Sequence, residues 1–78
     1  MKKTEIRKIL NIFLKKKFKI KKNLKNISMQ NVEKWDSLAH LILVNDLEKK
    51  FNIKFSQIEI SKITDEKKIY SVIKKKSI

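Results

Sequence analysis

Neither glycine nor proline occurs among the 78 residues, and the missing glycine constrains the fold more than any motif does. Tight hairpin turns of types I′ and II′ lean on glycine for positive φ, so an all-β architecture is disfavoured. The glycine-rich phosphate loop and the dinucleotide-binding fingerprint are ruled out on the same ground. A helical chain is the expectation.

The length fits a single domain, 1–78, that buries only about 60% of its unfolded surface. No cysteine is present to staple that core or hold zinc, and a single histidine rules out a His-rich metal site. No apolar run approaches the roughly 18 residues of a membrane span. The start, Met1 to Lys8, lacks the uninterrupted apolar stretch and small-residue cleavage site of a secretory signal. The expected location is therefore the cytoplasm, with no stable membrane insertion.

Apolar spacing organises the chain. Ile6, Ile9, Leu10, Phe13 and Leu14 form a helical stripe over about 4–17, with Thr4 as the expected N-cap. From Lys19 to Lys34 the periodicity fades, and Ile20, Leu24, Ile27, Met29 and Val32 read as anchors of a long loop. Asp36 is the clearest helix start, because an Asp N-cap accepts backbone N–H bonds and complements the positive helix end. In the helix over 37–51, His40, Leu43, Val44, Leu47 and Phe51 share one face. Leu38, Ile42, Asn45 and Lys49 occupy a second arc, with Leu41 between. Ser56 and Glu59 match a capping box and start a short third helix. Thr64 or Asp65 caps a last helix, with Ile69, Val72 and Ile73 turned inward. The predicted architecture is an all-α four-helix bundle, three longer helices and one short, with a long first loop.

The charge is lopsided. The chain holds 21 basic and 8 acidic side chains, a formal net charge of +13. Residues 1–30 carry 11 basic and 1 acidic, whereas residues 31–61 carry 4 basic and 5 acidic. Such an excess directs attention to nucleic acid or an anionic membrane face. Lys, Ile and Asn, at 20, 13 and 6 copies, are also the residues that A/T-rich codons encode, so codon bias accounts for basicity without any ligand. The near-neutral segment holds the motif.

That motif is Trp35-Asp36-Ser37-Leu38. A serine directly after an N-cap Asp presents its hydroxyl where backbone N–H groups and the helix dipole favour an attached anion. It is a good place to carry a phosphodiester and a poor one for self-activated catalysis, which needs an oriented base; His40 is the one candidate. Here the chain resembles the acyl carrier protein family. The resemblance rests on Asp36-Ser37-Leu38, then Leu41, Val44, Leu47-Glu48 and Phe51, then the Ile60-Ser61-Lys62-Ile63-Thr64 block after Glu59, and Ile69 and Ile73. It covers essentially the whole chain and implies an acyl-carrier-like bundle.

The resemblance further implies that Ser37 receives 4′-phosphopantetheine from a separate phosphopantetheinyl transferase. Asp36 would cap the helix and help position the transferase's Mg²⁺. The arm would hold acyl or aminoacyl groups as thioesters for partner enzymes of a fatty-acid, polyketide, polysaccharide-modification or other specialised pathway. The chain would be a monomer, not an enzyme, with no catalytic or metal-binding residue of its own. Leu38, Ile42 and Trp35 are the candidate partner interface. Trp35 has packing onto the helix as its competing reading, and Leu38 and Ile42 have membership of the core. His40, Leu43, Val44, Leu47, Phe51 and Ile63 are acyl-pocket candidates, with a buried, hydrogen-bonded histidine as the other reading of His40.

Two departures bear on partners. Lys34 stands where the family often has glycine, three residues before the serine. Ala39, Ile42 and Lys49 stand where housekeeping carriers place acids, with Glu48 retained. Enzymes built for an acidic carrier should dock poorly. The alternative function is a small basic helical nucleic-acid-binding domain. It calls for a polar, basic recognition helix, whereas 37–51 is apolar and nearly neutral, and Phe13, Phe18, Phe51 and Phe55 read as core rather than as stacking platforms.

Overall fold

A computed structural model describes residues 3–76. Four helices follow in order: α1 Lys3–Lys17, α2 Ser37–Phe51, α3 Gln57–Lys62 and α4 Glu66–Lys76. Thr4, expected as the first cap, lies inside α1. The other starts behave as local chemistry dictates. Asp36 caps α2, Ser56 and Glu59 form a reciprocal capping box on α3, and the Asp65 carboxylate accepts from Lys68 N at 2.8 Å ahead of α4. None of the helices among the described residues is long and apolar enough to cross a membrane.

Without glycine, α1 and α2 end on other residues in the left-handed region. Lys19, with φ 52°, follows α1, and Asn52, with φ 54°, follows α2. Around Lys19 the bonds Ile20 N to Lys15 O (2.9 Å) and Lys19 N to Lys16 O (3.4 Å) make a Schellman closure. Ile53 N reaches back to Glu48 O at 3.1 Å in the same way.

The core gathers one face from each long helix. Ile6, Leu10 and Leu14 of α1 meet Leu43, Val44 and Leu47 of α2 and Ile69 and Ile73 of α4. Each fully buried leucine contributes about 1.5–3 kcal/mol of transfer free energy. Ile9, Phe13, Phe51 and Val72, counted inward by spacing, are only half-buried at the margin. α3 buries no residue completely. The radius of gyration, 11.6 Å, is about what a packed chain of this length should have.

The long first loop is tied down at both levels, apolar and polar. Phe18, Ile27, Val32 and Trp35 are buried in the shared core. Ser28 pairs with Asp65 in an isolated antiparallel bridge, with Met29 N to Thr64 O at 3.0 Å and Glu66 N to Ile27 O at 2.7 Å. The Asn26 side chain accepts from Lys67 N at 3.1 Å. Loop and cap together thus satisfy three consecutive N–H groups at the start of α4, those of residues 66, 67 and 68, which a helix cannot satisfy internally. Buried Glu66 accepts from Asn11 Nδ2 at 2.8 Å, joining α4 to α1.

Candidate functional site

The start of α2 is built from the inside out. Trp35, immediately before the cap, is 2% exposed. Its indole stacks on Phe18 with ring centroids 5.2 Å apart and planes 16° from parallel. It also lies against His40, one helical turn into α2. This is the position pair of a hydrophobic staple, N′ against N4, with a polar bond added: Trp35 Nε1 donates to His40 Nδ1 at 3.0 Å. An indole nitrogen can only donate, so Nδ1 accepts and the His40 proton sits on Nε2, which donates to Ile60 O at 2.7 Å. One buried imidazole therefore joins the loop, α2 and α3. Trp35 thus packs onto the helix, the staple reading of the sequence, and is not exposed as part of a partner surface with Leu38 and Ile42.

Asp36 stands on this foundation. It is extended, and its Oδ1 accepts from Ala39 N at 2.8 Å while its carbonyl accepts from His40 N at 2.8 Å. Ser37 follows as the first helical residue and is exposed. Asp36 is exposed as well. The carboxylate and the hydroxyl are thus neighbours on the surface, at the positive end of a helix four turns long.

The outer arc of α2 is apolar and open. Leu38 is 69%, Leu41 60% and Ile42 49% exposed. At i, i+3 and i+4 they form one continuous strip beginning beside Ser37. Ile58 of α3 is 67% exposed. Core membership of Leu38 and Ile42 is thereby excluded.

The inner arc is closed. Leu43, Val44, Leu47 and Ile63 are buried in the common core, Phe51 is half-buried, and His40 has both ring nitrogens engaged. The hydrogen-bonded reading of His40 is the one observed. It also removes His40 as a base for Ser37, because the Trp35 N–H occupies its acceptor nitrogen.

The acids further along α2 are occupied. Asp46 pairs with Lys17 at 2.7 Å. Glu48, the acid that the resemblance marks as retained, accepts from Phe55 N at 2.8 Å through its Oε2 and fastens the connection after α2. No group of three or more His, Cys, Asp or Glu among the described residues could hold a metal ion. No family model, curated protein or solved structure matches the chain.

Proposed function

We propose that the chain is an acyl-carrier-type protein whose Ser37 bears 4′-phosphopantetheine. The observation that carries this reading is the pairing of an exposed Ser37 with the exposed Asp36 carboxylate at the N-terminus of α2, beside an exposed apolar strip. The residues fit the group: an open hydroxyl for the phosphodiester, helix N–H groups to favour its charge, and a carboxylate next door to share in holding the transferase's Mg²⁺. In the modification, Ser37 Oγ bonds to the phosphorus bearing the pantetheine arm of coenzyme A. The bond from that phosphorus to the nucleotide breaks, the nucleotide leaves with the electron pair, and a base of the transferase takes the hydroxyl proton.

When attached, the arm supplies a terminal thiol that holds an acyl or aminoacyl group as a thioester. The chain's own residues give the arm a rigid root. Trp35, Phe18 and His40 fix the start of α2, so Ser37 is presented in one orientation. Leu38, Leu41 and Ile42 offer partner enzymes an apolar landing beside it. Leu43, Val44, Leu47 and Ile63 are packed together, so an acyl chain enters among them only by parting α2 from its neighbours. The chemistry belongs to the loading and transferring enzymes.

The test is intact-mass measurement after incubation with coenzyme A, Mg²⁺ and a broad-specificity phosphopantetheinyl transferase. One added phosphopantetheinyl group is expected, mapped to the peptide containing Ser37 and abolished by Ser37→Ala. Asp36→Asn keeps a capping oxygen but loses the charge, so it should fold normally and be modified more slowly. Failure with several such transferases, on protein that is folded by circular dichroism, overturns the reading.

A further inference from the structure

The first loop carries a cleft that the proposed carrier role does not use. It is an open groove of about 590 Å³ between the end of α1 and the turns before α2. Its floor is apolar: Phe18 and Val32 are buried, and Ile20 and Leu24 are half-buried. Its rim is cationic. Lys19, Lys21, Lys22 and Lys34 all line it and are all exposed, with Glu33 the one acid among the lining residues. Left-handed Lys19 follows the end of α1 and begins the loop whose Ile20 and Leu24, packed against the core, line the cleft together with the lysines.

We propose that this cleft is a docking site for an acidic amphipathic segment of a partner protein, its apolar side chains on the floor and its carboxylates among the four lysines. Charge complementarity selects the occupant. Four lysines match several carboxylates along a peptide better than the single carboxylate of a fatty acid. The apolar groups are recessed, whereas a membrane-binding element pushes them outward; the large exposed hydrophobics lie elsewhere, at Ile12, Leu38, Leu41, Ile42 and Ile58. Single-stranded nucleic acid needs open aromatic faces, and Phe18 and Trp35 are 6% and 2% exposed and stacked on each other. The Phe18–Trp35 stack also makes the floor of the cleft continuous with the root of Ser37. The site stands independently of whether Ser37 is modified.

The test uses the full chain, unmodified, with a synthetic peptide carrying leucines at i, i+3, i+4 and i+7 among glutamates. A scrambled version of the same composition, polyglutamate, a free fatty acid, single-stranded DNA and phosphatidylserine vesicles serve as comparisons. Saturable binding of the striped peptide is expected, with amide NMR shifts centred on Ile20, Leu24 and Val32. The scrambled peptide and polyglutamate should bind at least tenfold more weakly. A triple variant, Lys21→Ser, Lys22→Ser and Lys34→Ser, should keep its circular dichroism and lose about tenfold in affinity. The proposal is overturned by equal binding of scrambled peptide or polyglutamate, by shifts centred elsewhere, or by no binding. Tighter binding of the fatty acid, DNA or vesicles overturns it too.

Discussion

Trp35 and His40 hold each other in place at the base of α2: the indole N–H donates to His40 Nδ1 at 3.0 Å, and both rings are buried. This bond sets the tautomer that lets Nε2 reach Ile60 O. Replacing His40 with Ala leaves a buried indole donor and a carbonyl without partners and opens a void. Since an unsatisfied buried group costs about 1–3 kcal/mol, His40→Ala should cost roughly 2–4 kcal/mol in urea unfolding followed by circular dichroism. Trp35→Phe keeps an aromatic against Phe18 but loses the donor, for a loss of about 1–3 kcal/mol. Losses under about 0.5 kcal/mol in both, the range of ordinary surface changes, would mean that the bond does not hold the helix start.

The two arcs of α2 should respond oppositely to substitution. Leu43 is fully buried, so Leu43→Ala should cost about 2–5 kcal/mol. Leu38→Glu and Ile42→Glu alter an exposed strip and should stay within about 0.5 kcal/mol of the parent. On the proposed function these two variants still fold but slow modification of Ser37 or transfer from its arm. Strong destabilisation by either charge would place that arc in the core and remove it as a landing surface.

At Lys19 the backbone pays for the missing glycine. A side chain in the left-handed region costs about 1–2 kcal/mol, partly offset by the roughly 0.5–1 kcal/mol of extra chain entropy that glycine loses on folding. Lys19→Gly should therefore raise stability by about 0.5–1 kcal/mol, seen as a higher urea midpoint with unchanged slope. Asn52→Gly should gain less, because asparagine tolerates this conformation better than most residues. A destabilised Lys19→Gly protein would show that the lysine side chain, not the backbone, governs the closure.

These positions also show which parts of the molecule could be read from sequence. The start and extent of α2 were legible because an N-cap and its apolar face are local signals, contained in Asp36 and the spacing from His40 to Leu47. The capping box of α3 was legible for the same reason. The ties that fix the first loop were not. Asn26 meets Lys67 N across 41 positions, and the bond that joins α1 to α4, Asn11 to Glu66 across 55 positions, was no more visible. Short polar side chains have no periodicity to announce such partners. The structural duty of Glu48, which the resemblance gives only as a retained acid, was hidden in the same way, because the Phe55 N–H arrives from the following connection. Lys19 carried no signal at all, because a left-handed closure is expected on Gly or Asn. At the candidate site, the exposure of Ser37 and Asp36 agrees with the pattern. The inward packing of Trp35 onto the helix is one of its two sequence readings; its stacking partner Phe18, 17 positions earlier, was not legible.

The capping box of α3 makes the clearest pH prediction. Glu59 accepts from Ser56 N at 2.8 Å and pairs with Lys76 Nζ at 2.9 Å. The Ser56 backbone bond, and after it Lys76, hold the Glu59 carboxyl below its usual value of 4.5. The folded chain thus binds the proton less readily than the unfolded chain does. The stabilisation is complete above the unfolded value and is lost as the pH falls through the lower folded one. Glu59→Gln keeps an oxygen for Ser56 N but neither titrates nor pairs with Lys76. Parent and variant should therefore differ most in urea midpoint above about pH 5 and converge towards pH 3, a window set by the carboxyl's own titration. A gap that stays constant across this range would show that the Glu59 charge contributes nothing and that the hydrogen-bond geometry alone caps the helix.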